Sequence, residues 1–113
     1  MKIEKIFETT RLSMRKKGYS KRTQDLYIRW IKEYILYHGN INPTYMGVKE
    51  IELFKNYLTK VKRASLELKT QASQAIFFLY TQILKINLQN DYINSARNLN
   101  QQKSKIVQTV MVF

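Results

Sequence analysis

Only four residues in this chain of 113 are strong helix breakers: Gly18, Gly39, Gly47 and Pro43. Between and beyond them, apolar residues recur at helical spacing. Ile3, Ile6, Phe7, Thr10 and Met14 predict a first helix over roughly 2–17. Gly18 stops it after a basic last turn, Arg15, Lys16 and Lys17, that suits the negative end of a helix dipole. Ser20 is a good N-cap for a second helix, whose broad apolar face is Tyr27, Trp30, Ile31, Tyr34, Ile35 and His38 and which ends at Gly39. NINPTYMG is a turn, because Asn42 before Pro43 is pushed out of the helical region. A third helix carries Val48, Ile51, Phe54, Leu58 and Val61 on one face. Ser65 caps a fourth, with Glu67 in its first turn. Its stripe is Leu68, Ala72, Ala75, Ile76, Leu79 and Ile83, fading near Ile86.

From Asn87 the character changes. NLQNDYINSARNLNQQKSK is polar and weakly periodic, and reads as a linker with one short helix around Tyr92–Leu99. The closing IVQTVMVF is a β-type apolar run with no second strand in the sequence to pair with. The expected architecture is therefore all-α: a compact bundle of four main helices, two crossed hairpins, over residues 1–86, followed by a flexible segment over 87–113.

Hydrophobic residues make up 44% of the chain, enough for one modest core. The charge is unbalanced: 20 Lys and Arg against 8 Asp and Glu, a formal net charge of +12. Such a surplus on a small body predicts a polyanionic partner, a nucleic acid or an anionic membrane surface, with a merely soluble, highly charged surface as the bland alternative. Cysteine is absent, which excludes disulfides and thiolate metal sites. No apolar run has the length of a membrane span, and MKIEKIFETTR is charged from the start, unlike a signal peptide. The expected location is the cytoplasm.

Signals for catalysis are poor. His38 is the only histidine, so a histidine metal cluster is impossible, and its place on an apolar helix face predicts a backbone hydrogen bond. Glu50 and Glu52 point to different sides of one helix and do not form an acid/base pair. There is no glycine-rich phosphate loop, GxSxG elbow or HExxH motif. Tyr27 and Tyr34 read as core residues with a hydroxyl at the rim. No catalytic residue, metal ligand, cofactor or small-molecule substrate is expected.

The cations say more. Lys21, Asp25, Arg29 and Lys32 fall at i, i+4, i+8 and i+11 on the second helix, opposite its aromatic face, with Arg22 beside the stripe. A solvated face, with Asp25 pairing Lys21 or Arg29, explains part of this. It does not explain Arg15, Lys16, Lys17, Lys21 and Arg22, five cations with no acid among them. Their self-repulsion favours an anionic visitor, DNA or RNA. On the fourth helix Thr70, Gln74, Phe77 and Thr81 project away from the core stripe, with Lys69 beside them. Thr and Gln suit phosphates and base edges. Phe77 is out of place there, and predicts either burial on two sides or a partner.

The order of these pieces resembles the N-terminal core-binding (SAM-like) domain of tyrosine recombinases, and within them most of all the integron integrases. The resemblance rests on Tyr19-Ser20-x-Arg22-Thr23, Tyr27, Trp30, Ile31 and His38-Gly39. It continues through Asn42-Pro43, Met46-Gly47, Ile51, Phe54 and Leu58, then Gln71-Ala72, Ala75 and Phe78-Leu79-Tyr80, spanning roughly 3–86. It implies a non-catalytic domain that clamps one face of a recombination-site duplex, beside other recombinase protomers, while a catalytic domain clamps the other. The starts of the second and fourth helices would approach the DNA. That implies DNA contacts at Lys16, Lys17, Lys21, Arg22, Thr23 and Arg29, and at Lys69, Thr70 and Gln74. The sequence departs from the family at Leu66, Glu67 and Leu68, where Glu67 would repel a phosphate. QTVMVF is similar to the opening of the catalytic domain, and the family's catalytic Arg, His-x-x-Arg and Tyr would lie beyond it. Residues 87–113 are then a linker toward that domain.

Two other readings remain. Exposed aromatics and the C-terminal tail could make this a protein-interaction module. A basic amphipathic membrane binder fits less well, because the cations lie opposite a face needed for the core.

Overall fold

A computed structural model describes residues 1–88. Its helices are α1 (Ile3–Lys16), α2 (Lys21–Tyr37), α3 (Val48–Lys60) and α4 (Leu66–Phe78), with a short 3₁₀ turn at Pro43–Tyr45. There is no strand among the described residues. α1 and α2 form one hairpin and α3 and α4 the other, and α2 lies against α4 at the centre. Of the expected linker and terminal apolar run, only Asn87 and Leu88 fall within the described residues.

The breakers act where the sequence puts them. Gly18 sits at φ +76°, and beyond it the Tyr19 N–H bonds back to the Met14 carbonyl and the Gly18 N–H to Arg15. This pattern closes a helix through one left-handed residue. Gly39, also at φ +76°, closes α2 the same way through Asn40 and Ile35. Ser20 and Ser65 are the expected caps: Ser20 Oγ accepts from the Thr23 N–H and Ser65 Oγ from the Leu68 N–H, both at 3.2 Å.

α4 departs from its expected course. The α-helical pattern ends at Phe78 and widens into a π-helical turn over Leu79–Ile83, closed by the Leu84 N–H on the Leu79 carbonyl at 2.9 Å. The apolar stripe could not reveal this, because a wider turn keeps Leu79, Tyr80 and Ile83 buried just as the α-helical stripe keeps Leu79 and Ile83.

The core is built from Ile6, Met14, Ile31, Tyr34, Ile35, Ile51, Phe54, Ala75, Ile76 and Leu79, all fully or almost fully buried. Each large aliphatic side chain among them contributes about 1.5–3 kcal/mol relative to exposure. Tyr34 corrects its expectation. Its hydroxyl is not at the rim: it donates to the Tyr80 hydroxyl at 3.0 Å, which in turn donates to the Pro43 carbonyl at 2.9 Å. This buried chain ties α2, the π turn and the 3₁₀ turn together. Tyr27 and Trp30 are half-buried, packed against the core rather than inside it.

The groups weighed for chemistry have structural tasks. His38 Nε2 lies 2.8 Å from the Glu50 carbonyl, and a carbonyl only accepts, so that nitrogen carries the proton. Glu50 Oε1 accepts from the Gly47 N–H at 2.7 Å, capping α3. Glu52 lies 3.7 Å from Lys55. No group of three His, Cys, Asp or Glu able to hold a metal occurs among the described residues.

Candidate nucleic-acid interface

The tight α1–α2 corner presents the start of α2 outward. The cap consumes one first-turn amide, that of Thr23, and leaves the N–H groups of Lys21 and Arg22 without an intrahelical acceptor. Ser20 Oγ–H also donates to Thr23 Oγ1 at 3.0 Å, so the Thr23 hydroxyl keeps its own proton to give. Lys21 and Arg22 are exposed, and the positive end of the helix dipole adds to their field.

The charges in space differ from the charges in sequence. Asp25 pairs with Arg11 of α1 at 2.9 Å and with Lys21 at 3.7 Å, while Arg29 lies 3.8 Å from Glu33. Of the two partners expected for Asp25, Lys21 is present; Arg29 gives way to Arg11, which reaches across from the neighbouring helix. Arg11 also approaches Gln24 at 3.4 Å, and Gln24 donates to the Tyr19 carbonyl at 2.9 Å, so the same group braces the corner. Lys16, Lys17, Arg22 and Lys69 enter no ion pair among the described residues.

The cations between 15 and 22 also point in different directions. Lys21, Arg22 and Arg29 line a shallow depression of about 520 Å³ on the outer side of α2. Arg15 lines another between α1 and α2, together with Arg11, Lys32, Phe7 and Ile28. Lys17 lines a third, a groove of about 350 Å³ where α1 meets α2 and α4. The run is thus a basic collar around one end of the bundle rather than one patch.

The third groove joins two sets of predicted residues, since Lys17 stands on one rim and Gln74 on the other. Its floor is aromatic. The Phe78 ring centre lies 5.8 Å from both Tyr19 and Tyr27, which meet edge to face at 6.0 Å. Burial, and secondarily the neighbouring Tyr19, pushes the Tyr27 phenol above its ordinary value near 10.0. Phe77 borders this groove and is 45% exposed, so the side chain that looked misplaced in the sequence edges a cleft. Gln82 lines the same groove, which the sequence reading missed. In a regular α-helix it would sit roughly 140° around from Phe77. The π turn brings it to the side that Phe77 and Thr81 share.

Not every predicted residue joins. Lys69 and Thr70 lie a turn earlier on α4, away from the groove lining. The Thr70 hydroxyl donates to the Leu66 carbonyl at 2.8 Å, which leaves it only acceptor capacity. Lys16 is exposed and lines none of these three surfaces.

Fold and surface together define a small helical domain with a basic collar and no strand among its described residues. The profile of the family described as phage integrase, N-terminal SAM-like domain, matches residues 6–90, and the chain belongs to that family. Two curated relatives, each named "Integrase/recombinase", come from Escherichia coli and Pseudomonas aeruginosa. Each is 31% identical over 84 residues, covering 74% of this chain and 25% of the relative. The chain therefore spans about a quarter of the length of the curated relatives it matches. No helix among the described residues is long and apolar enough to cross a membrane.

Proposed function

We propose that this domain is a non-catalytic DNA clamp of a site-specific tyrosine recombinase, of the integron integrase-like kind, acting in the cytoplasm. Cutting and joining belong to a separate catalytic domain, to which residues 87–113 lead. The single observation that carries the proposal is the corner at Ser20. It turns Lys21, Arg22 and the Thr23 hydroxyl outward at a positive helix end, beside the rim that holds Lys17. These groups suit phosphates, which fix register without reading sequence. Arg29, Lys16 and, more distantly, Lys69, Thr70 and Gln74 extend the contact along the duplex.

Salt dependence tests this. Binding of a duplex should weaken steeply as salt rises, with a slope of log affinity against log salt of about 0.9 per neutralised phosphate. A salt-independent association, or none at low salt, contradicts the proposal. A second surface supports a place for other protomers on the DNA. Between α2 and α3 the rings of Tyr37 and Tyr57 lie 4.5 Å apart, beside Phe54 and the 59% exposed Leu36. That patch fits a protein neighbour better than a phosphate.

A further inference from the structure

The groove between Lys17 and α4 contains chemistry that phosphate binding does not need. Gln74 is exposed and makes no hydrogen bond among the described residues, so its amide keeps both donor and acceptor. Phe77, three residues on, shares its helix face and borders the same groove. The hydroxyl on this wall has given its proton away: Thr81 donates to the Phe77 carbonyl at 2.7 Å. No carboxylate lines the groove, and its one cation, Lys17, is on the opposite rim.

Resting on the DNA-clamp reading, we infer that this face of α4 reads A·T base pairs in the major groove. Gln74 bonds the adenine edge and Phe77 covers a thymine methyl at the same or the next step. The groups match on both counts. A side-chain amide presents a donor and an acceptor at the spacing of adenine N7 and N6, and an exposed ring complements the methyl that only thymine carries there. Reading cytosine would call for a carboxylate, which the groove lacks. Reading guanine would call for an Arg or Lys on α4's own wall, where Gln74, Phe77 and Thr81 stand instead. Lys17, across the groove, is placed for the backbone. The π turn completes the element by bringing Gln82 alongside Phe77, where it meets the neighbouring base or sugar.

The test is selection by the full chain from a pool of duplexes with a randomised centre, at low salt. Affinities are then measured for the selected duplex and two analogues: 7-deazaadenine, which lacks the N7 acceptor, and uracil in place of thymine, which lacks the methyl. The expected result is enrichment of an A·T step. Each analogue should weaken binding by roughly fivefold or more. Gln74→Ala should erase the 7-deazaadenine effect alone and Phe77→Ala the uracil effect alone, each with a cooperative unfolding transition retained. Duplexes retained without A·T enrichment, enrichment of G·C, or analogue effects that survive these substitutions overturn the inference and leave the clamp standing. No retention of any duplex at low salt overturns the clamp, and the inference with it.

Discussion

The Tyr34 hydroxyl lies 3.0 Å from the Tyr80 hydroxyl in the centre of the domain, and Tyr80 passes the chain of hydrogen bonds on to Pro43. Tyr80 therefore takes part in both of these bonds, and Tyr34 only in the first. Tyr80→Phe takes the acceptor from one buried group and the donor from another, and is expected to cost about 1–3 kcal/mol. Tyr34→Phe removes the Tyr34–Tyr80 bond and leaves the one to Pro43, so it should cost less, about 1 kcal/mol. Chemical denaturation of both variants checks the order. Equal losses would mean that the chain through Tyr80 does not couple the two turns.

Truncation of Trp30 follows from its half-burial. A fully buried Phe or Trp loses roughly 3–5 kcal/mol on replacement by Ala, and Phe54→Ala should fall in that range. Trp30→Ala removes a side chain that only leans on the core and should cost clearly less, about 1–3 kcal/mol, with the cooperative transition retained. A Trp30→Ala variant that unfolds before Phe54→Ala contradicts the packing described.

How much of this was legible in the sequence varies by element. The helix ends set by Gly18, Gly39, Ser20 and Ser65 were, because these residues act through local geometry that needs no tertiary partner, whereas the end of α4 at Phe78 was not. The backbone role of His38 was too. The burial of the Tyr34 hydroxyl was not, since it depends on Tyr80 arriving from 46 residues away. Nor was the pairing of Arg11 with Asp25, which exists only once α1 lies on α2. The predicted cations formed one cluster in sequence and a collar in space, because helical rotation separates Arg15 from Lys17. Gln82 was hidden by the π turn, which leaves no trace in apolar spacing.

Asp25 restrains the basic collar. It holds Lys21 by an exposed pair and Arg11 by a half-exposed one, so Asp25→Asn should cost about 1 kcal/mol of stability or less. It also releases two cations and removes a charge that repels phosphate. Duplex affinity should therefore rise severalfold at low salt, and the gain should shrink as salt is raised. Weaker binding in this variant would show that Asp25 positions Lys21 for DNA rather than competing with it.

Tyr27 makes stability depend on alkaline pH. Burial and then Tyr19 hold its pKa above the ordinary 10.0, so the folded state keeps the proton longer than the unfolded chain. Its contribution is present in full below about pH 10 and is lost as pH rises through the folded value. Tyr27→Phe should flatten the alkaline fall in stability relative to wild type, while the two curves run parallel below pH 9. Identical slopes above pH 10 would show that Tyr27 is solvated.

The clamp itself is tested most directly by reversing charge at the start of α2. Lys21→Glu with Arg22→Glu should weaken binding to any duplex by tenfold or more and reduce the salt slope by about 0.9 for each phosphate no longer neutralised. The fold should be intact, because both side chains are exposed. The matched control is Lys2→Glu with Lys5→Glu. It changes net charge equally but sits at the far end of α1, about 20 Å of helix away from the corner. A clamp seated on the corner predicts a large loss of affinity with a flatter salt slope for the first pair, and a small loss with the slope unchanged for the second. Equal losses from the two pairs, or no loss from either, would contradict it.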